Sequence, residues 1–164
     1  KSAHTALRFA YAPRWHKKCT YIGRIADGTP RAEHYNSASG DFETYAQAGL
    51  LKRHIESCTT LSEQSLAAAQ YGHTVAYAEH LTAYVAADTG LDAQLVQDLL
   101  AYLLHNPARQ ITLRHHIYPR HALSYPTLCR RCHEVKRTLA TLNASLLMKV
   151  DKELLNSNLI QSVA

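Results

Sequence analysis

Apolar residues recur at helical spacing over much of the chain, and the polar positions between them carry helix-start signals. The pattern predicts three helices in the middle of the chain, over residues 41–57, 60–87 and 89–106. Each begins with side chains suited to capping its first backbone amides: Asp41, the pair Thr60 and Glu63, and the pair Thr89 and Asp92. The third helix is expected to stop at Asn106 because a proline follows it.

Two stretches of the chain have patterns typical of β-strands instead. Residues 20–35 form two short runs around an Asp27-Gly28 turn signal, which predicts a hairpin. Nearer the C-terminus, Ile111 and Leu113 alternate with polar residues, as in a half-buried strand, and a proline at position 119 ends that strand.

A second short strand and a helix are predicted after this strand. Residues 127–128 form an extended piece, and the leucine-rich stretch from 132 to about 155 has helical spacing. The order is therefore strand, loop, short strand and helix. We expect an α+β fold that is mostly helical, with a hairpin and helices over residues 1–109 and a ββα module over residues 110–155.

The composition predicts a soluble globular protein. A chain of 164 residues can bury a core, and 46% apolar with 19% charged residues is typical of folded domains. No apolar run approaches the roughly 20 residues that cross a bilayer, and no signal peptide is visible, so we expect a cytoplasmic location and no membrane partner. The four cysteines include only one close pair, which does not indicate a disulfide framework.

The net charge is +5, and the positive charge is concentrated in one segment. Residues 108–140 contain a single acidic residue, Glu134, among many basic ones. A local excess of cations is what a polyphosphate partner requires, so the sequence predicts a nucleic-acid partner. The seven basic residues of this segment are Arg109, Arg114, Arg120, Arg130, Arg131, Lys136 and Arg137.

The same segment carries two motifs rich in metal-binding residue types. They are HHIYPR at residues 115–120 and LCRRCHEVK at residues 128–136. In this order, over residues 111–140, they resemble the HNH endonucleases, which have a ββα-metal fold. The resemblance implies a metal-dependent endonuclease that hydrolyses phosphodiester bonds, with duplex DNA as the expected substrate.

The resemblance also implies a role for the motif residues. His116 would be the general base that activates water, while His115 and His133 would hold a divalent ion, Mg²⁺ or Mn²⁺ with Zn²⁺ as a further option. The central Asn of the family falls near Ser124, whose hydroxyl would then orient the base. The residues expected to contact backbone phosphates are Arg114, Arg120, Arg130, Arg131 and Lys136.

Cys129 and Cys132 leave three interpretations open. In many HNH members such a pair helps to hold a structural Zn²⁺. The sequence CRRCH is also the CxxCH attachment signature of c-type haem, with His133 as an axial iron ligand. The third interpretation is a non-catalytic module that binds zinc or nucleic acid.

Overall fold

The protein is helical throughout the part of the chain that the structure describes. A computed structural model describes residues 2–12, 47–72, 78–104 and 110–156, and 87% of these residues are helical. Those four ranges contain no strand, so the predicted α+β fold with a C-terminal ββα module is wrong. The predicted hairpin at residues 20–35 lies outside the described residues.

The described ranges contain six α-helical segments, of which the last is by far the longest. They are α1 (Ala3–Tyr11), α2 (helical residues 47–58), α3 (Leu61–Gly72), α4 (Ala78–Thr89), α5 (Ala93–Leu104) and α6 (Tyr125–Asn156). A π-helical turn, Leu113–Ile117, and a 3-10 turn, Tyr118–Arg120, lie between α5 and α6. The 32 residues of α6 span about 48 Å at the usual rise per residue, so this helix can contact all the others.

The start of α3 confirms a capping box predicted from the sequence. The backbone N–H of Glu63 donates to the hydroxyl of Thr60 (3.3 Å), and the N–H of Thr60 donates to Oε2 of Glu63 (2.7 Å). At α5 only half of the predicted pair acts as a cap. Asp92 Oδ2 accepts from two amides in the first turn (3.0 and 3.3 Å), whereas Thr89 is the last residue of α4.

Two apolar clusters form the described core, and α6 contributes to both. Its N-terminal half, from Leu128 to Leu142, packs against α3, α4 and α5. Its C-terminal half, from Leu146 to Leu154, packs against α1, α2 and α3. The apolar face predicted for this helix is confirmed, because Leu147 is half-buried and its other four positions are buried: Leu139, Leu142, Leu146 and Val150.

A buried carboxylate joins α3 to the middle of α6. The side chain of Glu63 is 2% exposed and accepts hydrogen bonds from Ser145 Oγ (2.7 Å) and Lys149 Nζ (2.8 Å). Burial is the largest influence and acts to raise the pKa of Glu63, but the hydrogen bonds from Lys149, Thr60 and Ser145 together outweigh it. The pKa therefore lies below its ordinary value, and the buried group is charged at neutral pH.

The segment predicted as the first C-terminal strand is a π-helical turn. In its last backbone hydrogen bond, the N–H of Tyr118 donates to the carbonyl of Leu113, five residues earlier. Leu113 and Ile117 both pack against the first apolar cluster, and Ile117 is buried. Three apolar positions at 111, 113 and 117 fit a strand or a helical turn equally well, so this short alternation does not distinguish the two structures.

The helix α6 begins seven residues earlier than predicted, so the second predicted strand is part of it. Ser124 is its N-cap, since the N–H of Thr127 donates to Ser124 Oγ (3.4 Å) and the N–H of Leu128 donates to its carbonyl (2.9 Å). Pro126 occupies the first turn, where a missing N–H leaves no intrahelical bond unmade. Both cysteines of the CxxC pair consequently lie inside a helix rather than at the end of a strand.

Candidate functional site

The histidine pair lies exposed on the π-helical turn, where Thr112 anchors both residues. The Thr112 hydroxyl accepts from the N–H of His115 (3.3 Å), and the N–H of Thr112 donates to Nδ1 of His116 (3.1 Å). The second bond occupies the lone pair of Nδ1, so the neutral His116 ring carries its proton on Nε2. This arrangement presents a donor to solvent and does not favour a general-base role, which stays a prediction.

The other two residues of the predicted site are Ser124, the N-cap of α6, and His133 within that helix. The hydroxyl of Ser124 lies 2.8 Å from Oγ1 of Thr127, within the helix cap. It forms no hydrogen bond with the described side chain of His116. His133 is exposed on the solvent side of the helix. Within the four described ranges, no three His, Cys, Asp or Glu side chains form a group suited to holding a metal. The divalent site therefore stays a prediction from the HNH resemblance.

Cys129 and Cys132 are one helical turn apart but have different surroundings. Cys132 is 8% exposed in the first apolar cluster, and burial raises the pKa of its thiol. Cys129 is half-buried, and it is the main cause that raises the pKa of the Tyr125 phenol one helical turn away. Zinc binding requires thiolates, and haem attachment would draw Cys132 out of its apolar contacts. The packing thus favours neither cofactor.

Serine substitution at these two cysteines should have unequal effects. We expect Cys132→Ser to lower the free energy of unfolding by about 1–2 kcal/mol, because it places a hydroxyl in an apolar cluster. Cys129→Ser should change it by less than about 0.5 kcal/mol, since that side chain is only half-buried. Urea unfolding of both variants measures the difference. Equal large losses, matched by a chelator on the wild type, would show instead that the pair holds a metal.

The predicted phosphate-contacting residues divide into paired and unpaired cations. Arg120 Nη1 lies 3.4 Å from Asp98, and Arg131 Nη1 lies 2.9 Å from Glu134. The others are exposed and form no ion pair within the described part of the chain; they are Arg114, Arg130 and Lys136, together with the neighbouring Arg137.

Three of the exposed side chains share one face of α6. Arg130, His133 and Arg137 stand at positions i, i+3 and i+7, which a helix places along one side. The adjacent acidic residue, Glu134, is already engaged with Arg131. We call this set, with Arg114 and Lys136, the basic surface.

A contact between α5 and the 3-10 turn was not foreseen from the sequence. Nε2 of His121 lies 2.9 Å from Oδ2 of Asp98, and both side chains are only 13% exposed. Asp98 thereby holds the turn that carries Arg120 against α5. No local signal indicates the pair, because its members are 23 residues apart and meet only after the helices pack.

Comparison with known proteins finds no matching family model, no matching curated protein and no matching solved structure. The HNH resemblance thus depends on the two motifs alone. In the described segments no helix is both long enough and apolar enough to span a bilayer.

Proposed function

We propose that this protein is a helical nucleic-acid-binding protein that contacts the phosphate backbone through its basic surface. The observation that carries the proposal is a set of exposed cations, on the first half of α6 and on the π-helical turn, that form no ion pair with any described residue. Arg130 and Arg137 are about 10 Å apart along the helix axis, which corresponds to roughly three nucleotide steps of one duplex strand. A rigid helix can therefore present both guanidinium groups to one backbone.

The distribution of charge in the described chain also supports a polyanionic partner. Residues 110–137 carry six basic residues and one acidic residue, whereas residues 78–104 carry four acidic residues and no lysine or arginine. Two of those acids already have partners: Asp98 lies 2.9 Å from His121, and Asp88 accepts a hydrogen bond from Thr138 (2.6 Å). A local excess of cations attracts an anionic partner to the segment that carries it.

Binding to duplex DNA should depend on salt, and the cations of α6 should set part of that dependence. We expect the double change Arg130→Ala with Arg137→Ala to reduce the slope of log affinity against log salt by about 2, one for each lost phosphate contact. The loss should be similar on duplexes of unrelated sequence, because phosphate contacts carry no sequence information. Fluorescence anisotropy with labelled 20-base-pair duplexes at several salt concentrations measures both quantities.

Arg53→Ala is the matched control, since Arg53 is an exposed arginine on α2, outside the basic surface. Its salt slope should equal that of the wild type. If the double variant had the same salt slope as the wild type, the proposal would be contradicted. Wild-type binding that does not respond to salt would contradict it as well.

A further inference from the structure

A groove lies beside the basic surface, where the end of α5 meets the π-helical turn and the start of α6. We call it the tyrosine groove. It is lined by Tyr102 and Tyr125 together with apolar residues, and its volume is about 530 Å³. That volume lies within the range of small-molecule sites in proteins. The residues that complete its lining are Leu103, Ile111, Thr112, Leu113 and Arg114.

The ring of Tyr125 is held in place although it is 38% exposed. The ring of Tyr118 packs edge-on against it, with 5.8 Å between centroids and an angle of 89° between planes. A ring fixed in this way loses little conformational entropy when a ligand stacks on it.

One cation stands at the edge of the groove. Arg114 is exposed, forms no ion pair with described residues, and lines the groove together with Tyr125. The lining of the groove therefore combines two aromatic residues, apolar side chains and a single positive charge. A planar ring that carries an anionic group complements all three features.

We propose that the tyrosine groove binds one unpaired base of a single-stranded nucleic acid, with Arg114 at the adjacent phosphate. This inference rests on the proposed function, because the row of cations on α6 is what favours a polymer over a free nucleotide. A duplex base remains stacked within its helix and does not reach such a groove. The protein would therefore distinguish single strands by stacking and hold either form of nucleic acid by charge.

Two labelled 12-nucleotide single strands of equal charge test this. One is oligothymidylate, and the other has the same backbone with every base removed. We expect the wild type to bind oligothymidylate on the order of tenfold more tightly, as base stacking on one aromatic side chain typically gives. Tyr125→Ala should abolish that preference while leaving the affinity for the abasic strand unchanged. Tyr125→Phe keeps the ring and should retain the preference.

The two proposals can fail separately. Equal affinity for the two strands, with the salt slope still dependent on Arg130 and Arg137, would overturn the groove and leave phosphate binding intact. Chemical-shift changes of Tyr125 on adding thymidine monophosphate, without binding of either strand, would show that the groove takes a free nucleotide and would overturn both the single-strand assignment and the proposed function. Absence of both responses would overturn both proposals.

Discussion

Replacing Glu63 with alanine is expected to lower the free energy of unfolding by about 3 kcal/mol, which is at the lower end of the range for breaking a buried ion pair. The substitution removes the partner of Lys149 and Ser145 on α6 and also the capping box at the start of α3. We expect a value at the lower end of that range because Lys149 is 35% exposed, so water can solvate its ammonium group when the carboxylate is lost. Chemical unfolding followed by helical circular dichroism measures the change.

Glu56→Ala provides the matched control for this prediction. Glu56 pairs with Lys52 across one turn of α2 at 3.7 Å, and both side chains are more than a third exposed. Such surface pairs contribute less than about 0.5 kcal/mol. A loss at Glu63 no greater than that at Glu56 would show that the buried contacts with α6 do not stabilise the fold.

The same carboxylate should make stability fall in acid. The pKa of Glu63 is lower in the folded state than its ordinary value of 4.5. The unfolded chain therefore binds the proton more readily, so the contribution is fully present above the unfolded pKa and is lost as pH falls through the folded pKa. Unfolding measured from pH 6 down to pH 3 should show a steeper loss in the wild type than in Glu63→Gln. Parallel curves would contradict this assignment.

Leu146→Ala should have an effect of comparable size on the second apolar cluster. Leu146 is fully buried where α6 packs against α1, α2 and α3. Removal of a buried leucine side chain typically costs about 2–5 kcal/mol, because the cavity that remains is only partly filled. For a chain of this size a loss of about 3 kcal/mol lowers the melting temperature by roughly 6–12 °C. Thermal unfolding by calorimetry measures the shift.

Met148→Ala, two residues further along the same helix, is the control. Met148 is 67% exposed, so its truncation should change the melting temperature by little. Similar shifts in melting temperature for the two variants would mean that Leu146 does not lie on the buried face of α6.

The sequence determined the features that depend on residues close to each other. The Thr60–Glu63 box needs only a three-residue spacing, and the apolar face of α6 needs only the helical period, so both were predicted and both are confirmed. The excess of cations over residues 108–140 follows from composition in the same way. Local features can be predicted because the backbone geometry that relates nearby residues is the same in every helix.

The helical nature of the C-terminal part was decided by packing. The signal for a strand at residues 111–113 was too short to exclude a helical turn, and the first apolar cluster selects the turn by burying Ile117. Ser124 followed by Pro126 is itself a helix-start signal, although the same residues are also typical of a turn between two strands. The HNH resemblance implies the turn, with the cysteine pair after the second strand, whereas both cysteines lie inside α6.

The sequence predicted the positive charge of the candidate site but not its geometry. The sequence supplied the arginines, but which of them are paired depends on contacts such as that between Arg120 and Asp98, 22 residues apart. The tyrosine groove likewise needs Tyr102 and Tyr125 from two helices, and the role of Glu63 needs Ser145 and Lys149, more than 80 residues away. Only the tertiary structure fixes such distances, because they depend on how the apolar faces pack and not on spacing along the chain.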